Sequence, residues 1–347
     1  MRKHLLPLAA LLAATPALPQ ASANIAAGRA QPSPLAPAEI VNAAPKADWA
    51  AIASSDLLVM DLAPDAKGKP RRVVIQLMPA PFSQGWVGNI RKLAAARFWD
   101  GTSINRVQDN YVVQWGDANA EDKAKAKALP GDLTVMTEAD YRVPLSTEDI
   151  SRLNEAVRVG ALDAADFAQA SAKGDKTPIR TVNPLITIYD AYLMGTAFSK
   201  GWPLGFDEDS MKSPVHCYGM VGVGRDMPPN TGTGAELYTV IGHAPRHLDR
   251  NIALVGRVIE GIEHLSSLPR GTGALGFYET PEERTPIMSV RIGSEVSGLP
   301  AYEYLSTESE SFARYADARA NRRDAFFIRP AGGADVCNIP VPVRRVK

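Results

Sequence analysis

The sequence has 347 residues, and its 38 lysines and arginines balance its 38 aspartates and glutamates. This balance argues against non-specific binding to nucleic acids or anionic membranes, because both need a basic excess. Hydrophobic residues make up 45% of the chain, which is ordinary for a soluble folded protein. The length could hold two average domains or a single β-rich barrel.

The first 23 residues predict a signal peptide. "MRKH" is basic, "LLPLAALLAA" is a short apolar run, and "ASA" at 21–23 fits the small-residue pattern of a cleavage site. The apolar run is too short to span a bilayer unless it is extended. We therefore expect cleavage before Asn24 and export to a bacterial periplasm, with no stable membrane insertion.

Residues 24–48 are rich in Ala and Pro and lack a sustained period, which predicts a flexible leader and a fold that begins near Trp49. Two β-type runs follow at 56–62 and 71–78, joined by a turn with Gly, Lys and Pro. Residues 83–98 have apolar side chains at helical spacing. Two further strands, "DGTSINRV" and "YVVQWGD", are joined by "QDN", which suits a tight turn.

The sequence changes character from about 118 to 214, which predicts a helical insertion. "STEDISRLNEAVRVGAL" opens with Ser146 or Thr147 as the N-cap, followed by acidic residues, and this is a typical helix start. "NPLITIYDAYLMGTAF" (183–198) is interpreted as a second helix. Both segments depart from the strand patterns on either side of them.

Strand patterns return at 216–224, 235–242 and 252–259, followed by a short helix in "EGIEHLSSL" and a closing strand at 287–296. Residues 297–347 form an extension with a predicted helix in "STESESFARYADARANRRDAFF". Many strands with one early and one late helix favour a barrel or a sandwich over βαβ alternation. The predicted class is therefore mainly β with some α.

Two cysteines, Cys217 and Cys337, lie far apart in the sequence. In an oxidising compartment they could form one bridge that ties the C-terminal extension to the core, and two buried free thiols are the alternative. His243 and His247 have the spacing of a helical metal pair, but Pro245 between them argues against a helix there. We expect no metal or other cofactor, because nucleotide-binding, hydrolase and zinc motifs are missing.

The segment "FWDGTSINRVQDNYVVQWGD" (98–117) resembles the signature of the cyclophilin-type peptidyl-prolyl cis-trans isomerases. "NTGTGAELYTVIGHAPRHLDRNIALVGRVIEGIEHLSSL" (230–268) is similar to a second block of that family. The resemblance implies a closed eight-stranded β-barrel capped by two helices, within residues 49–296. The insertion after Asp117 and the C-terminal extension go beyond the family pattern.

The resemblance also implies a set of site residues. Arg106 takes the place of the catalytic arginine, and Gln114 that of the substrate-binding glutamine. Glu236 stands where a glutamine is usual, His247 where many members have tryptophan, and Ile252 where many have histidine. The remaining residues that would form an apolar pocket for the proline ring are Tyr111, Val112, Met220, Tyr238 and Leu248.

The predicted partners are therefore proline-containing polypeptides, and the predicted activity is the cis-trans isomerisation of X–Pro bonds during folding of exported proteins. An alternative is a cyclophilin-like module that binds proline-containing segments with little turnover, as a chaperone or an envelope interaction module. A structural envelope protein that reuses the barrel is a third possibility. The presence of both Arg106 and Gln114 favours the enzyme.

Overall fold

The computed structural model describes residues 34–158, 185–187, 190–324, 326–329 and 331–346. The predicted signal peptide lies outside these residues. The central unit is a closed antiparallel barrel of eight strands, in the order β11-β12-β5-β4-β14-β2-β3-β13, with β13 pairing back onto β11. The strands are β2 (Leu57–Leu62), β3 (Arg71–Leu77), β4 (Ser103–Val107), β5 (Val112–Gly116), β11 (Met220–Val223), β12 (Leu237–Val240), β13 (Leu254–Glu260) and β14 (Thr285–Ile292).

The barrel forms because its strands alternate between two environments. On β5, Val113 and Trp115 are buried in the main hydrophobic core, whereas Val112 and Gln114 project from the other face. The predicted barrel is thus confirmed, and so are the strands on both sides of Arg106.

Helix α2 (Gln84–Ala95) packs on the barrel beside β14, as the sequence predicted for residues 83–98. Its apolar side chains fall on one face and are fully buried at Trp86, Ile90 and Leu93. Burying each such side chain contributes about 1.5–3 kcal/mol. The short helix α4 (Glu263–Ser266) follows β13 and lies against β3.

The insertion contains more strand than the sequence indicated. Its helix α3 starts at 147 and is described to 158, with Ser146 and Asp149 forming a reciprocal capping box at its start. A five-stranded sheet accompanies this helix, in the order β6-β10-β9-β8-β7. Its strands are β6 (Val143–Pro144), β7 (Ile186–Thr187), β8 (Gly195–Ser199), β9 (Trp202–Phe206) and β10 (Met211–Pro214).

The second helix predicted over 183–198 is wrong in its described part. Residues 186–187 and 195–199 are strands β7 and β8, which pair with each other. Asp190 favours a turn over a helix before β8, because its side chain accepts hydrogen bonds from the backbone N–H groups of Tyr192 and Leu193. This local bonding is typical of a turn and competes with helix formation.

Part of the leader that was predicted to be flexible over residues 24–48 is helical. Helix α1 (Pro37–Ala43) precedes Trp49 and packs against α5 (Glu310–Ala320), with Ile40 only 6% exposed. Helix α5 is the helix predicted in the extension. A third sheet joins both ends of the fold, with β15 (Tyr302–Leu305) between β1 (Trp49–Ile52) and β16 (Val343–Arg345).

Two features attach the insertion and the extension to the barrel. Cys217 and Cys337 form a disulfide, so the bridged alternative is the one observed. Arg257 on β13 donates to the carbonyl of Gly201 in the insertion and lies 4.4 Å from the ring centre of Trp202. Its guanidinium also lies 5.9 Å from the ring centre of Tyr304 in the extension, and burial lowers the pKa of Arg257 to about 10.

No helix in the described ranges is long and apolar enough to cross a membrane. The described residues also contain no group of three or more His, Cys, Asp or Glu side chains that could hold a metal ion.

Candidate active site

Arg106, Gln114, Tyr238 and Gly222 lie in one row across four neighbouring barrel strands. Arg106 on β4 pairs with Gln114 on β5, which pairs with Tyr238 on β12, which pairs with Gly222 on β11. Directly paired residues project from the same face of a sheet, so the row is a continuous strip. The neighbouring Val113 belongs to the main core. The strip therefore lies on the opposite face of the barrel wall.

The guanidinium of Arg106 is held by three acceptors. Its Nε donates to the carbonyl of Leu275 at 2.8 Å, its Nη1 to Oε1 of Gln114 at 3.2 Å, and its Nη2 to Oε1 of Gln108. The rings of Tyr111 and Phe277 lie 5.6 and 5.2 Å from it. A guanidinium has more N–H groups than these bonds use, so donors remain for a substrate. Burial lowers the pKa of Arg106, but an arginine stays charged at neutral pH.

Glu236 determines which way the amide of Gln114 faces. The amide nitrogen of Gln114 donates to Oε2 of Glu236 at 2.7 Å, and an ionised carboxylate can only accept. The amide oxygen of Gln114 therefore faces Arg106. Burial raises the pKa of Glu236, the hydrogen bond from Gln114 opposes this rise, and the nearby acid Asp117 adds to it.

A small hydrophobic group, which we call the pocket cluster, lies on the same strip and is separate from the main core. Its buried members lie behind Tyr111 and Ile252, which are partly exposed, and Tyr111 lies beside the Arg106 guanidinium. An apolar rim beside a fixed cationic donor suits an apolar ring that carries one polar atom. The cluster consists of Val112, Tyr238 and Val240, with Tyr111 and Ile252 packed against them.

The sequence matches the family model "Cyclophilin type peptidyl-prolyl cis-trans isomerase/CLD" over residues 70–292. This span is more than half of the chain and includes Arg106, Gln114 and Tyr238. The chain belongs to this family. Membership in the cyclophilin-type isomerases supports peptidyl-prolyl cis-trans isomerase activity, with proline-containing peptides as substrates, in agreement with the sequence analysis.

A solved cyclophilin shares the fold at low sequence identity. The crystal structure of cyclophilin AquaCyp293 from Hirschia baltica aligns with a TM-score of 0.56 and 18% identity, over 86% of this chain and 94% of that one. A Cryptosporidium parvum cyclophilin-type isomerase, crystallised in the presence of the dipeptide Ala-Pro, aligns with a TM-score of 0.34 and 10% identity, over 67% of this chain and 98% of that one. No curated protein matches significantly.

The structure brings together most of the residues predicted for the cyclophilin site. Arg106 and Gln114 are in direct contact, and Glu236 joins them through Gln114. Tyr111 lies beside Arg106 and packs against Val112 and Tyr238 in the pocket cluster. The identity of these residues as a working site stays a prediction.

Three of the residues predicted for the site lie outside the pocket cluster, and their roles stay predictions. Met220 is buried with the main core rather than with the pocket cluster. His247 and Leu248 lie on the turn Arg246–Leu248, where His247 is exposed and Leu248 is partly buried. Neither belongs to the pocket cluster. Ile252, a departure from the family pattern, does pack there.

Three residues that contact Arg106 were not predicted from the sequence, namely Gln108, Leu275 and Phe277. Gln108 carried a usable signal, because it is two residues beyond Arg106 and therefore projects to the same side of an extended chain. Leu275 and Phe277 carried none. They lie in a loop before β14 and reach Arg106 only through the fold, where Phe277 forms an isolated bridge with it.

Proposed function

We propose that the chain accelerates rotation about X–Pro bonds in exported polypeptides, with Arg106 as the catalytic donor. The observation that carries the proposal is the fixed position of the Arg106 guanidinium, which three acceptors hold beside the apolar pocket cluster. A donor that is already oriented loses little conformational freedom during the reaction, so its hydrogen bond can stabilise the transition state.

The chemistry follows from the electronic structure of the amide. Rotation costs about 18–20 kcal/mol because resonance gives the C–N bond partial double-bond character. In the twisted state this resonance is lost, and the prolyl nitrogen becomes pyramidal with an available lone pair. A free N–H of Arg106 directed at that lone pair stabilises the twisted state more than either planar isomer, which is the condition for catalysis.

The remaining residues would hold the substrate while one part of it rotates. The proline ring would pack against the pocket cluster, on Val112, Tyr111 and Tyr238. Gln114 uses one amide hydrogen for Glu236, and its second amide hydrogen is available for the backbone carbonyl that does not rotate. Holding the ring and one carbonyl leaves the other side of the amide free to turn.

Export to the periplasm is part of the proposal, and two observations support it. Residues 1–23 have the order of a secretory signal peptide. The disulfide between Cys217 and Cys337 is a feature of proteins that fold in oxidising compartments. Cell fractionation tests this directly: the full chain should be found in the periplasmic fraction, and a chain lacking residues 2–23 should stay in the cytoplasm.

The activity is tested by a cis-trans isomerisation assay on an X–Pro tetrapeptide. Arg106→Ala should lower kcat/KM by about 10²- to 10³-fold, the usual effect of removing one oriented donor. Arg106→Lys keeps the charge but not the planar fork, so it should recover only part of the loss. Arg345→Met, which changes an exposed arginine of the extension, serves as the matched control and should retain wild-type activity.

Failure of the folded wild-type protein to accelerate the reaction would contradict the proposal. Titration with the same peptide, followed by NMR, would then show whether the pocket cluster binds proline-containing segments without turnover. Equal activities of the wild type and Arg106→Ala would instead contradict the role of the arginine while leaving the isomerase itself in place.

A further inference from the structure

The Tyr238 ring packs directly against a glycine of the neighbouring strand. The ring crosses β11 above Gly222, and a side-chain carbon at residue 222 would lie 2.3 Å from the Tyr238 hydroxyl. Glycine at this position therefore leaves the space that the tyrosine ring occupies. Only 5% of Tyr238 is exposed, so its hydroxyl needs a partner inside the protein.

That partner is His216. The Tyr238 hydroxyl lies 2.7 Å from Nε2 of His216, and Nδ1 of His216 lies 2.9 Å from Oδ1 of Asp249. The backbone N–H of His216 donates to the same carboxylate oxygen at 2.8 Å. In the neutral imidazole, Nδ1–H donates to Asp249 and leaves Nε2 to accept from the tyrosine. Burial raises the pKa of Tyr238 well above its usual value, so the hydroxyl keeps the proton that it donates.

Arg246 completes this chain of contacts. Its Nε donates to Oδ2 of Asp249 at 2.5 Å, and its Nη2 donates to Oδ1 of Asp190 at 2.9 Å. Arg246 and Asp249 are 3% and 2% exposed, and His216 is fully buried. We call Tyr238, His216, Asp249 and Arg246 the buried relay. Each polar group in it has a partner, which is what makes such a network rigid.

The two segments that go beyond the family pattern both contact the buried relay. Asp190 belongs to the insertion, and Asp335 of the extension lies 3.6 Å from Arg246. The extension is also fixed two residues later, because Cys337 is bonded to Cys217, the neighbour of His216 in the sequence. The insertion and the extension thus meet behind the pocket cluster.

We propose that His216 is a positioning residue of the isomerase site, and that it holds the Tyr238 ring as a fixed wall of the proline pocket with the help of Asp249 and Arg246. The insertion and the extension contribute by supplying Asp190 and Asp335 to the far end of the buried relay. This inference rests on the proposed function of the pocket cluster. A tyrosine bonded at its hydroxyl has one ring position, and a site held by such supporting bonds keeps its geometry.

The test is a double-mutant cycle on the full chain with His216→Leu and Tyr238→Phe. Each single change leaves a buried polar atom without its partner, whereas the double change removes both partners together. We expect each single variant to raise KM for an X–Pro tetrapeptide by about tenfold, equivalent to about 1.4 kcal/mol. The double variant should return to within about threefold of the wild type, because Asp249 keeps its bonds to Arg246 and to the backbone N–H of residue 216.

Arg257→Met is the matched control for a purely structural effect. It removes another buried arginine that bonds across elements, but its contacts are to Gln76 and Gly201 rather than to the pocket cluster. It should lower the melting temperature without changing KM. Single variants at His216 and Tyr238 that lower the melting temperature while KM stays at the wild-type value would overturn the inference.

The same experiment separates this inference from the proposed function. Isomerase activity that depends on Arg106 but is unchanged by His216→Leu would overturn the positioning role alone. If the wild type shows no turnover, the proposed function fails. The double-mutant cycle is then evaluated from the peptide affinities of the four proteins, measured by NMR titration. Equal affinities in all four proteins, or no detectable binding in any of them, would overturn the positioning role as well.

Discussion

The two sides of the candidate active site are built in opposite ways. On one side, Arg106 and Gln114 come from one hairpin, are eight residues apart, and contact each other directly. On the other, Tyr238 is held by residues that are distant in sequence, and the contacts reach into the insertion and the extension. The first side is partly exposed and the second is buried.

This difference separates the groups that would act on a substrate from the groups that would hold the site in shape. Arg106 must remain accessible to a substrate, so only part of its guanidinium can be bonded within the protein. The groups that hold it are neutral acceptors, which do not neutralise its charge. The buried relay has no such requirement and can be fully satisfied from within. We therefore expect changes on the first side to affect turnover, and changes on the second side to affect stability and peptide affinity.

The largest effect on stability should come from breaking the buried relay at Arg246. Arg246→Met leaves Asp249 and Asp190 buried without their cation, and breaking a buried pair in this way costs about 3–5 kcal/mol. Chemical denaturation measures the loss. Arg345→Met is the control, because the pair of Arg345 with Glu260 is exposed and its loss should lower the free energy of unfolding far less. Equal losses in the two variants would contradict the contrast between the buried and the exposed pair.

The disulfide should have the next largest effect. Cys337→Ser opens a loop of 120 residues, and removing a native disulfide costs about 2–5 kcal/mol. The variant should also have a higher KM, because the extension would then be attached less firmly beside His216. A reducing agent should bring the wild type to the level of the variant and leave the variant unchanged. A wild-type KM in the fully folded variant would confine the disulfide to a role in stability.

The smallest effect on stability should come from Glu236, which contacts Gln114 on the partly exposed side. Its pKa is raised in the folded state, so the folded protein binds this proton more tightly than the unfolded chain does. The wild type should therefore lose stability as the pH rises from below the ordinary glutamate range through the raised pKa. Glu236→Gln removes this dependence and can keep the hydrogen bond with Gln114.

Melting temperatures of the wild type and Glu236→Gln, measured from pH 4 to pH 8, test this expectation. The variant should be the more stable protein at neutral pH, and the difference should shrink toward pH 4. A difference that stays constant over this range would show that the ionisation of Glu236 does not contribute to it.

The sequence was most informative where the function depends on consecutive residues. The segment 98–117 predicted a strand, a turn and a second strand, and the structure contains β4 and β5 with Arg106 opposite Gln114. The prediction was wrong for 183–198, where apolar residues at mixed spacing suggested a helix and the described residues form strands. Such short apolar runs are compatible with a helix or with a strand, and the pairing of β8 with β9 stabilises the strand.

By itself, the sequence determined a mainly β fold from local periodicity, and the contiguous motif that contains Arg106 carried the resemblance to the family and to its closed barrel. Tertiary structure alone decided that Met220 belongs to the core, that Leu275 holds Arg106, and that His216 holds Tyr238. These contacts join residues that are 22 to 169 positions apart or depend on which face of a strand is buried. No local pattern encodes them, since they form only when the barrel closes and the added segments pack against it.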